Sequence, residues 1–299
     1  MKKNLLSVIL ACFAFVAMAQ DTVSESVELK SKRGINILPE TGEWALGVSA
    51  SPFLSYAGNM LNGNTANTAP SFQFTNNPSN LVAVFGKYMV NANTAYRARF
   101  NASINSTIDK AVVVQNELNP DAFFPAFTED WRTTNSKTIV LAAGYEKRRG
   151  KSRVQGIYGG EAVFALTGNT QKYEYGNQIS ADFNTVTTNN FGGNILLGSA
   201  AATVQRKTEE KFGNVFTAGV RGFIGVEYFI GPKVSLGAEF GYSLLFRTAT
   251  RGLVTAERWN PLTNSVLETK IDVNNNGYFT FMGTSLDNLN GTINLLFYF

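Results

Sequence analysis

The strongest constraint on this chain is a two-residue alternation of apolar and polar side chains. From Tyr96 to Asn105 every even-numbered residue is apolar, and the residues between them are arginine, asparagine or serine. Successive side chains of a β-strand point to opposite faces, so this segment predicts a strand that separates an apolar environment from a wet one. No long stretch of the chain keeps a helical period instead.

The same alternation recurs along the chain and predicts eight strands. Turns separate the segments, and charged residues and glycines interrupt the alternation within them, but the apolar residues of each segment keep their two-residue spacing. The eight segments are Trp44–Tyr56, Leu81–Val90, Ala95–Asn105, Ile139–Glu146, Gln155–Leu166, Phe216–Tyr228, Val234–Leu244 and Leu289–Phe299.

The connections between these segments alternate strictly between long and short. Short turns are expected at Asn91–Asn93, Arg149–Ser152 and Gly231–Lys233. Long connections are expected at about 57–79, 107–136, 168–213 and 249–287. This alternation is typical of outer-membrane barrels, which have tight periplasmic turns and long outer loops. The sequence therefore predicts an all-β fold, an eight-stranded antiparallel up-and-down transmembrane β-barrel with four long outer loops and short periplasmic turns.

The bulky apolar face is expected to contact lipid, because the small and charged residues fit the narrow interior of an eight-stranded tube. The alternative is a water-soluble barrel with the faces reversed. Aromatic residues near both rims favour the membrane interpretation, since membrane barrels carry aromatic girdles at both interfaces. The predicted periplasmic girdle consists of Trp44, Tyr88, Tyr96, Tyr145, Tyr228 and Phe299.

Charged residues on the opposite face are predicted to share the interior. Unpaired charges in so tight a space are costly, so we expect them to pair with one another. Two interpretations stay open: a salt-bridge plug that closes the tube, and a rearrangeable network that passes small ions. The predicted interior charge network consists of Arg97, Arg99, Glu146, Glu161, Arg221, Glu227 and Glu239.

The N-terminus predicts export. Two lysines, an apolar run and the small-residue pattern ending at Ala19 indicate a signal peptide over residues 1–19. A lipoprotein signal cleaved at Cys12 is the alternative. The predicted division is then a periplasmic N-terminal segment at 20–42 and an outer-membrane barrel at 43–299. Removing Lys2 and Lys3 leaves 24 basic residues against 22 acidic ones, so the charge gives no reason to expect nucleic acid as a partner.

The composition argues against most enzyme chemistry. The chain has no histidine and a single cysteine, Cys12, which leaves with the signal peptide. Ser-His-Asp, Cys-His and histidine-ligated zinc sites are therefore excluded, and we expect no enzyme, no cofactor and no metal. Asp272–Gly277 matches half of a calcium loop, but Gly283 stands where the bidentate glutamate belongs, which favours a polar hairpin tip. Lys147–Lys151 is interpreted as a cationic turn, and an O-glycosylation match at Thr22 stays open.

Several segments together resemble a known family. They are Leu38–Gly47 with Pro52-Phe53, Tyr158–Ala162, Gly222–Phe229 and Leu236–Gly241. These segments are similar to those of small outer-membrane β-barrel proteins of the OmpA/OmpX-like superfamily, Bacteroidota type.

The resemblance implies outer-membrane lipids, the barrel-assembly machinery and periplasmic chaperones as partners. It implies a structural, envelope-integrity or surface-adhesion role through the outer loops, whose ligand stays unknown. A narrow porin-like channel is the alternative. The apolar residues at every second position of the C-terminal segment look like the signal that the assembly machinery recognises; they are Ile293, Leu295, Phe297 and Phe299.

Overall fold

A computed structural model describes residues 29–49, 84–121, 123–186, 188–197, 204–273, 280–282 and 290–299. The regular structure of these residues is β throughout, in one antiparallel sheet of twelve strands. The strands are β1 Trp44–Ser49, β2 Val84–Asn91, β3 Thr94–Val114, β4 Phe127–Arg149, β5 Val154–Glu174, β6 Ile195–Leu196, β7 Gln205–Gly231, β8 Val234–Ala249, β9 Gly252–Asn260, β10 Ser265–Val273, β11 Thr280–Met282 and β12 Asn290–Tyr298.

Eight of these strands close into a ring. In spatial order they are β1, β2, β3, β4, β5, β7, β8 and β12, and β12 pairs back with β1 through Ala45 and Tyr298. Closure pairs the backbone of each strand with a neighbour on both sides, so the ring itself presents no free edge. The predicted antiparallel arrangement of eight sequential strands is thus present.

Three tight connections lie together at one end of the ring, which we call the short-turn end. They occupy residues 92–93, 150–153 and 232–233, at the positions that the sequence predicts. Lys233 adopts a φ of 60° there, in the left-handed region that tight turns require. The opposite end is called the distal end below.

The sheet continues much further toward the distal end than the sequence suggests. β3 runs to Val114 and β4 starts at Phe127, so most of the predicted loop at 107–136 is strand. Likewise β9 continues β8 along β7, and β10 pairs with β9 over its whole length. The expectation of a long loop at 249–287 was wrong for residues 252–273. Beyond the apolar band the outward face becomes mixed: on β3, Ser106 and Lys110 alternate with exposed Ile108 and Val112. The contrast between the two faces therefore fades although the backbone pairing persists.

Two further sequence interpretations are corrected in this region. The hairpin tip between β9 and β10 lies at residues 261–264, whereas Asp272 is inside β10 and pairs with Leu253. The predicted tip at Asp272–Gly277 was therefore wrong at its first residue, and residues 274–279 and Gly283 lie outside the described residues. The expected cationic turn at Lys147–Lys151 was wrong in part, because β4 extends to Arg149.

The two faces of the ring strands differ as the alternation predicts. On the outside, Phe100, Ile104 and Ile224 are 49%, 77% and 65% exposed, whereas Arg97 and Glu227 on the inside are almost completely buried. Charged side chains therefore lie in the interior of the ring while large apolar side chains cover its exterior, the reverse of a water-soluble barrel.

An apolar floor closes the interior at the short-turn end, and the sequence did not predict it. Ile37 inserts there from a short hairpin formed by residues 29–38, in which the Ile37 amide donates to the carbonyl of Leu29 at 2.8 Å. The residues of the floor are all buried and belong to five ring strands and this hairpin. They are Ile37, Ala45, Phe85, Met89, Ala95, Phe229, Leu296 and Tyr298.

Candidate functional site

Nine charged side chains from six ring strands meet inside the ring, beside the apolar floor and partly between its residues; Lys87, for example, lies between Phe85 and Met89 on the inward face of β2. All are at most 5% exposed except Arg99, whose side chain is 22% exposed. Because strands that are not neighbours in the ring contribute to the same contacts, these side chains must cross its interior. We call them the interior network: Lys87, Arg97, Arg99, Glu146, Arg148, Glu161, Arg221, Glu227 and Glu239.

Glu227 is the centre of the part of the network nearest to the floor. Lys87 Nζ lies 3.0 Å from Glu227 Oε2, and Arg148 pairs with the same oxygen. The hydroxyl of Tyr298 donates to Glu227 Oε1 at 2.6 Å, and that of Ser235 donates to it as well. Both carboxylate oxygens are thus satisfied, which a fully buried carboxylate requires.

Arg97 is the centre of the rest of the network. Its three nitrogens reach three different carboxylates: Nη1 lies 3.1 Å from Glu146, Nε lies 2.6 Å from Glu161, and Nη2 lies 2.8 Å from Glu239. The guanidinium is sandwiched between the rings of Phe85 and Phe223, at 4.7 and 4.0 Å from their centroids. Aromatic faces attract a guanidinium, so these rings also hold its orientation.

Small residues on the inward face make room for these long side chains. Arg221 Nη1 lies 2.9 Å from Glu239 and 3.5 Å from Glu161. Its guanidinium lies against Gly241, where a Cβ atom would stand only 2.3 Å away. A side chain at this position would therefore displace Arg221 from both carboxylates.

The structure brings all seven predicted interior charges into contact and adds two that sequence reasoning missed. Lys87 was overlooked because its face of β2 also carries Phe85 and Met89, which hides the polar alternation. Arg148 was assigned to a surface turn because it belongs to a dense basic run. The two-residue period could have found both, because each lies two residues from another inward-facing residue on its own strand.

The network is built to hold charges rather than to move them. Each of its four carboxylates contacts at least two cations, for example Glu146, which lies 2.8 Å from Lys87 and 3.1 Å from Arg97. In the described ranges, no three aspartate, glutamate, cysteine or histidine residues are placed to hold a metal ion. No helix among the described residues is long and apolar enough to cross a membrane.

The predicted aromatic girdle forms a nearly continuous row on the outside of the short-turn end. Trp44, Tyr88, Tyr96 and Tyr145 are successive partners on β1, β2, β3 and β4. The rings of Trp44 and Tyr88 are 4.8 Å apart, and those of Tyr96 and Tyr145 are 6.3 Å apart.

The rest of the girdle and the C-terminal motif lie on neighbouring ring strands. Tyr228 is 46% exposed on β7, and Phe299 exchanges backbone hydrogen bonds of 2.9 Å with Trp44. In the C-terminal motif Leu295 pairs with Leu236, whereas Phe297 and Phe299 are 48% and 72% exposed. Ile293 is the motif's first residue and pairs with Ala238.

The N-terminal hairpin is fastened to the turn between β7 and β8. The Lys233 amide donates to the carbonyl of Ile37 at 3.2 Å, and its ammonium group pairs with Glu43. A hydrogen bond from Asn36, followed by the charge of Lys233, lowers the pKa of Glu40. The contacts with Lys233 thus hold the hairpin, and with it Ile37, at the short-turn end of the ring.

A second polar cluster lies toward the distal end, where the segment 175–197, which we call the outer loop, packs on the inward face of the sheet. Asp130 and Arg132 lie on the same face of β4 as Glu146. Asp130 accepts from the Gly176 amide at 3.0 Å and from Asn190 Nδ2 at 2.7 Å. Arg132 donates to the carbonyl of Phe191 at 3.0 Å and pairs with Asp109. The outer loop therefore packs on the inward face of the distal parts of β3, β4 and β7.

Tyr175 and Arg206 anchor the base of the outer loop. The Arg206 guanidinium stacks on the Tyr175 ring at 4.2 Å and lies 2.7 Å from Glu257. The Tyr175 hydroxyl donates to the carbonyl of Lys207 at 2.7 Å, and burial raises the pKa of Tyr175 to about 12. The sequence predicted this loop as part of the long connection at about 168–213 and assigned no contacts to it.

Comparison with known proteins adds little to these contacts. No protein-family model and no curated protein matches the sequence. Among solved structures, the chain is similar to a major outer membrane protein from Thermus thermophilus, with 8% sequence identity and a TM-score of 0.31, over 86% of this chain and 98% of that chain. A likeness of this size carries no weight for function, so the site is defined by its own geometry.

Proposed function

We propose that this protein is a non-enzymatic integral β-barrel of the bacterial outer membrane whose distal end faces the environment. The observation that carries the proposal is the combination of an apolar exterior with a charged interior in a closed ring. In water this arrangement would expose most of the large apolar side chains.

The dimensions of the apolar exterior support a membrane crossing. On β3 the outward face is apolar from Tyr96 to Ile104, and on β8 from Leu236 to Phe246, which gives nine and eleven residues. A tilted transmembrane strand needs about 9–11 residues. The aromatic row of Trp44, Tyr88, Tyr96 and Tyr145 borders this band at the short-turn end, as interfacial girdles do.

The filling of the interior supports a structural rather than a conducting role. The apolar floor and the interior network together fill the inside of the ring, and the outer loop packs on the inward face of the sheet toward the distal end. An ion would have to cross buried Ile37 and then separate several paired charges. We therefore favour envelope integrity or surface adhesion over a porin-like channel.

The remaining parts of the proposal follow from the sequence. Residues 1–19 are an export signal, and the alternating apolar residues that end at Phe299 engage the barrel-assembly machinery after periplasmic chaperones deliver the chain. Outer-membrane lipids surround the band. The resemblance to OmpA/OmpX-like proteins of the Bacteroidota supports this route.

A heat-modifiable gel shift combined with membrane fractionation tests the proposal. A folded barrel resists detergent without heating and migrates differently from the boiled chain, and it fractionates with the outer membrane. A soluble protein without a heat-dependent shift contradicts it.

Planar-bilayer recordings test the channel alternative. The filled interior predicts that the wild-type protein produces no sustained open level. A stable conductance under mild conditions would replace the structural role with that of a narrow porin-like channel.

A further inference from the structure

The connection between β3 and β4 presents large apolar side chains at the far distal end. Leu118, Phe123 and Phe124 are 72%, 88% and 83% exposed, and Phe127 at the base is 60% exposed. We call these four residues the apolar tip. Exposed side chains of this size are costly in water, and a cluster of them marks an interaction surface.

The tip is ordered rather than a loose loop. Asp121 Oδ1 accepts from the Phe123 amide at 2.8 Å and from the Phe124 amide at 3.2 Å. Asn177 of the outer loop braces the base: its side chain accepts from the Asn116 amide at 2.9 Å and donates to the Val114 carbonyl at 2.8 Å. The backbone that carries the two phenylalanine rings is therefore hydrogen-bonded within the tip and at its base.

Four positions of the tip present no unsatisfied amide hydrogen. Phe123 and Phe124 have their amides satisfied by Asp121, while Pro120 and Pro125 have no amide hydrogen to satisfy. Unsatisfied backbone groups are what keeps irregular loops out of lipid, at several kcal/mol for each group.

An interfacial pair lies behind the tip on the same outward face. Lys110 and Trp131 are direct partners on β3 and β4, and the ammonium group of Lys110 lies 3.8 Å from the centroid of the Trp131 ring. Trp131 is four residues from Phe127, or about 13 Å along the strand. Tryptophan and lysine at that depth suit the headgroup region when the tip is in the acyl chains.

We propose that the apolar tip inserts into a lipid surface apposed to the distal end, which makes the adhesion in our proposed function a lipid-directed one. The proposal rests on that function, because the tip must face outward. Val114 lies ten residues beyond Ile104, about 33 Å along β3, so the tip stands well clear of the protein's own membrane. Glu117 and Asp121 are acidic, which favours a zwitterionic surface over an anionic one.

Flotation with vesicles of pure phosphatidylcholine tests the proposal. The full chain, folded in nanodiscs, should float with the vesicles, and F123D/F124D should reduce the floated fraction at least tenfold. L262D is the matched control, because Leu262 is a 94% exposed residue at the tip of the β9–β10 turn; it should change the fraction less than twofold. Equal losses in both variants, or no flotation of the wild type, overturn the proposal.

Asp121→Ala distinguishes membrane insertion from non-specific hydrophobic adsorption of the rings. It keeps both phenylalanines but leaves their amides without an acceptor, so it should lower flotation about three- to fivefold. Unchanged flotation contradicts insertion.

If the tip binds a protein instead, the wild type should not float with the vesicles. It should bind to bacterial cells, and protease treatment of those cells should abolish the binding. That pattern overturns a lipid target. The heat-modifiable shift is measured on every variant. A wild type that shifts but does not float refutes only the tip, whereas a wild type without the shift refutes the barrel as well.

Discussion

The interior network and the outer loop use the same inward face of the same strands, but at different levels and with different chemistry. At the lower level the carboxylates of Glu146 and Glu227 are completely buried and meet only cations or hydroxyls of the ring itself. At the upper level Asp130 and Arg132 contact the backbone and amide groups of a separate segment. The lower contacts join ring strands to one another, whereas the upper contacts attach the outer loop to the strands.

The fold should depend more on the lower contacts than on the upper ones. In a dry interior a charge that loses its partner has no solvent to replace it, and removing one member of a buried pair costs about 3–5 kcal/mol. Around the outer loop, water reaches several of the groups; the Arg132 and Asp109 side chains are 25% and 40% exposed. Damage there should therefore stay local.

The largest effect is expected from Arg97→Ala. The change leaves three buried carboxylates short of a cation, so the free energy of unfolding should fall by about 3–5 kcal/mol in urea titrations that follow the heat-modifiable form. Arg99→Ala is the control, because Arg99 is partly exposed and pairs only with Glu161. Glu239→Ala should resemble Arg97→Ala. Large open currents with unchanged stability would show instead that the network gates a pore.

A somewhat smaller loss is expected from Ile37→Ala. The substitution opens a cavity in the apolar floor and should cost about 2–3 kcal/mol in the same titration. Ile35→Ala, two residues away and half exposed, is the matched control and should change stability by less than about 0.5 kcal/mol. Equal effects of the two variants would mean that the hairpin does not close the ring.

The outer loop should respond to Asp130→Ala without loss of the ring. The Gly176 amide and the Asn190 side chain lose the buried carboxylate that accepts from them, and a hydrogen bond to a charged group contributes about 1.5–3 kcal/mol. Hydrogen exchange of residues 176–197 should accelerate while the unfolding midpoint of the ring stays within error. Asp182→Ala, on an exposed part of the same loop, should leave exchange unchanged. Cooperative unfolding of the whole chain by Asp130→Ala would abolish the distinction between the two levels.

The smallest expected effect is a pH dependence of the outer loop. Burial raises the pKa of Tyr175 from about 10 to about 12, so the folded loop holds its proton more tightly than the unfolded loop does. The stabilisation is complete below pH 10 and is lost as the pH rises toward 12. Because amide exchange is itself base-catalysed, the quantity to measure is the protection of the loop amides relative to their intrinsic exchange rate, and this protection should fall across that range in the wild type. Tyr175→Phe should remove this pH-dependent part; the same pH profile in both proteins would assign it to another group.

The sequence predicted most of the fold, because a two-residue period shows which residues lie on the outside of the ring and which face its interior. It placed the three short turns and seven members of the interior network. It failed where that contrast disappears: Lys87 shares its inward face with apolar neighbours, and Arg148 sits in a basic run. The distal halves of β3 and β4 were missed because polar residues enter their outward faces, at Ser106 and Lys110 on β3 and at Asn135 and Lys137 on β4.

What the sequence alone determined is the identity of the two faces of each strand, since alternation is a local property of neighbouring residues. Only the tertiary structure decided which charges meet. Arg97 contacts Glu239 and Lys87 contacts Glu227 across more than 130 residues, because ring closure brings distant strands within the reach of one side chain. Only the fold revealed Ile37 in the floor and the outer loop on the inward face of distal β4, because both depend on contacts between segments that are far apart in the sequence.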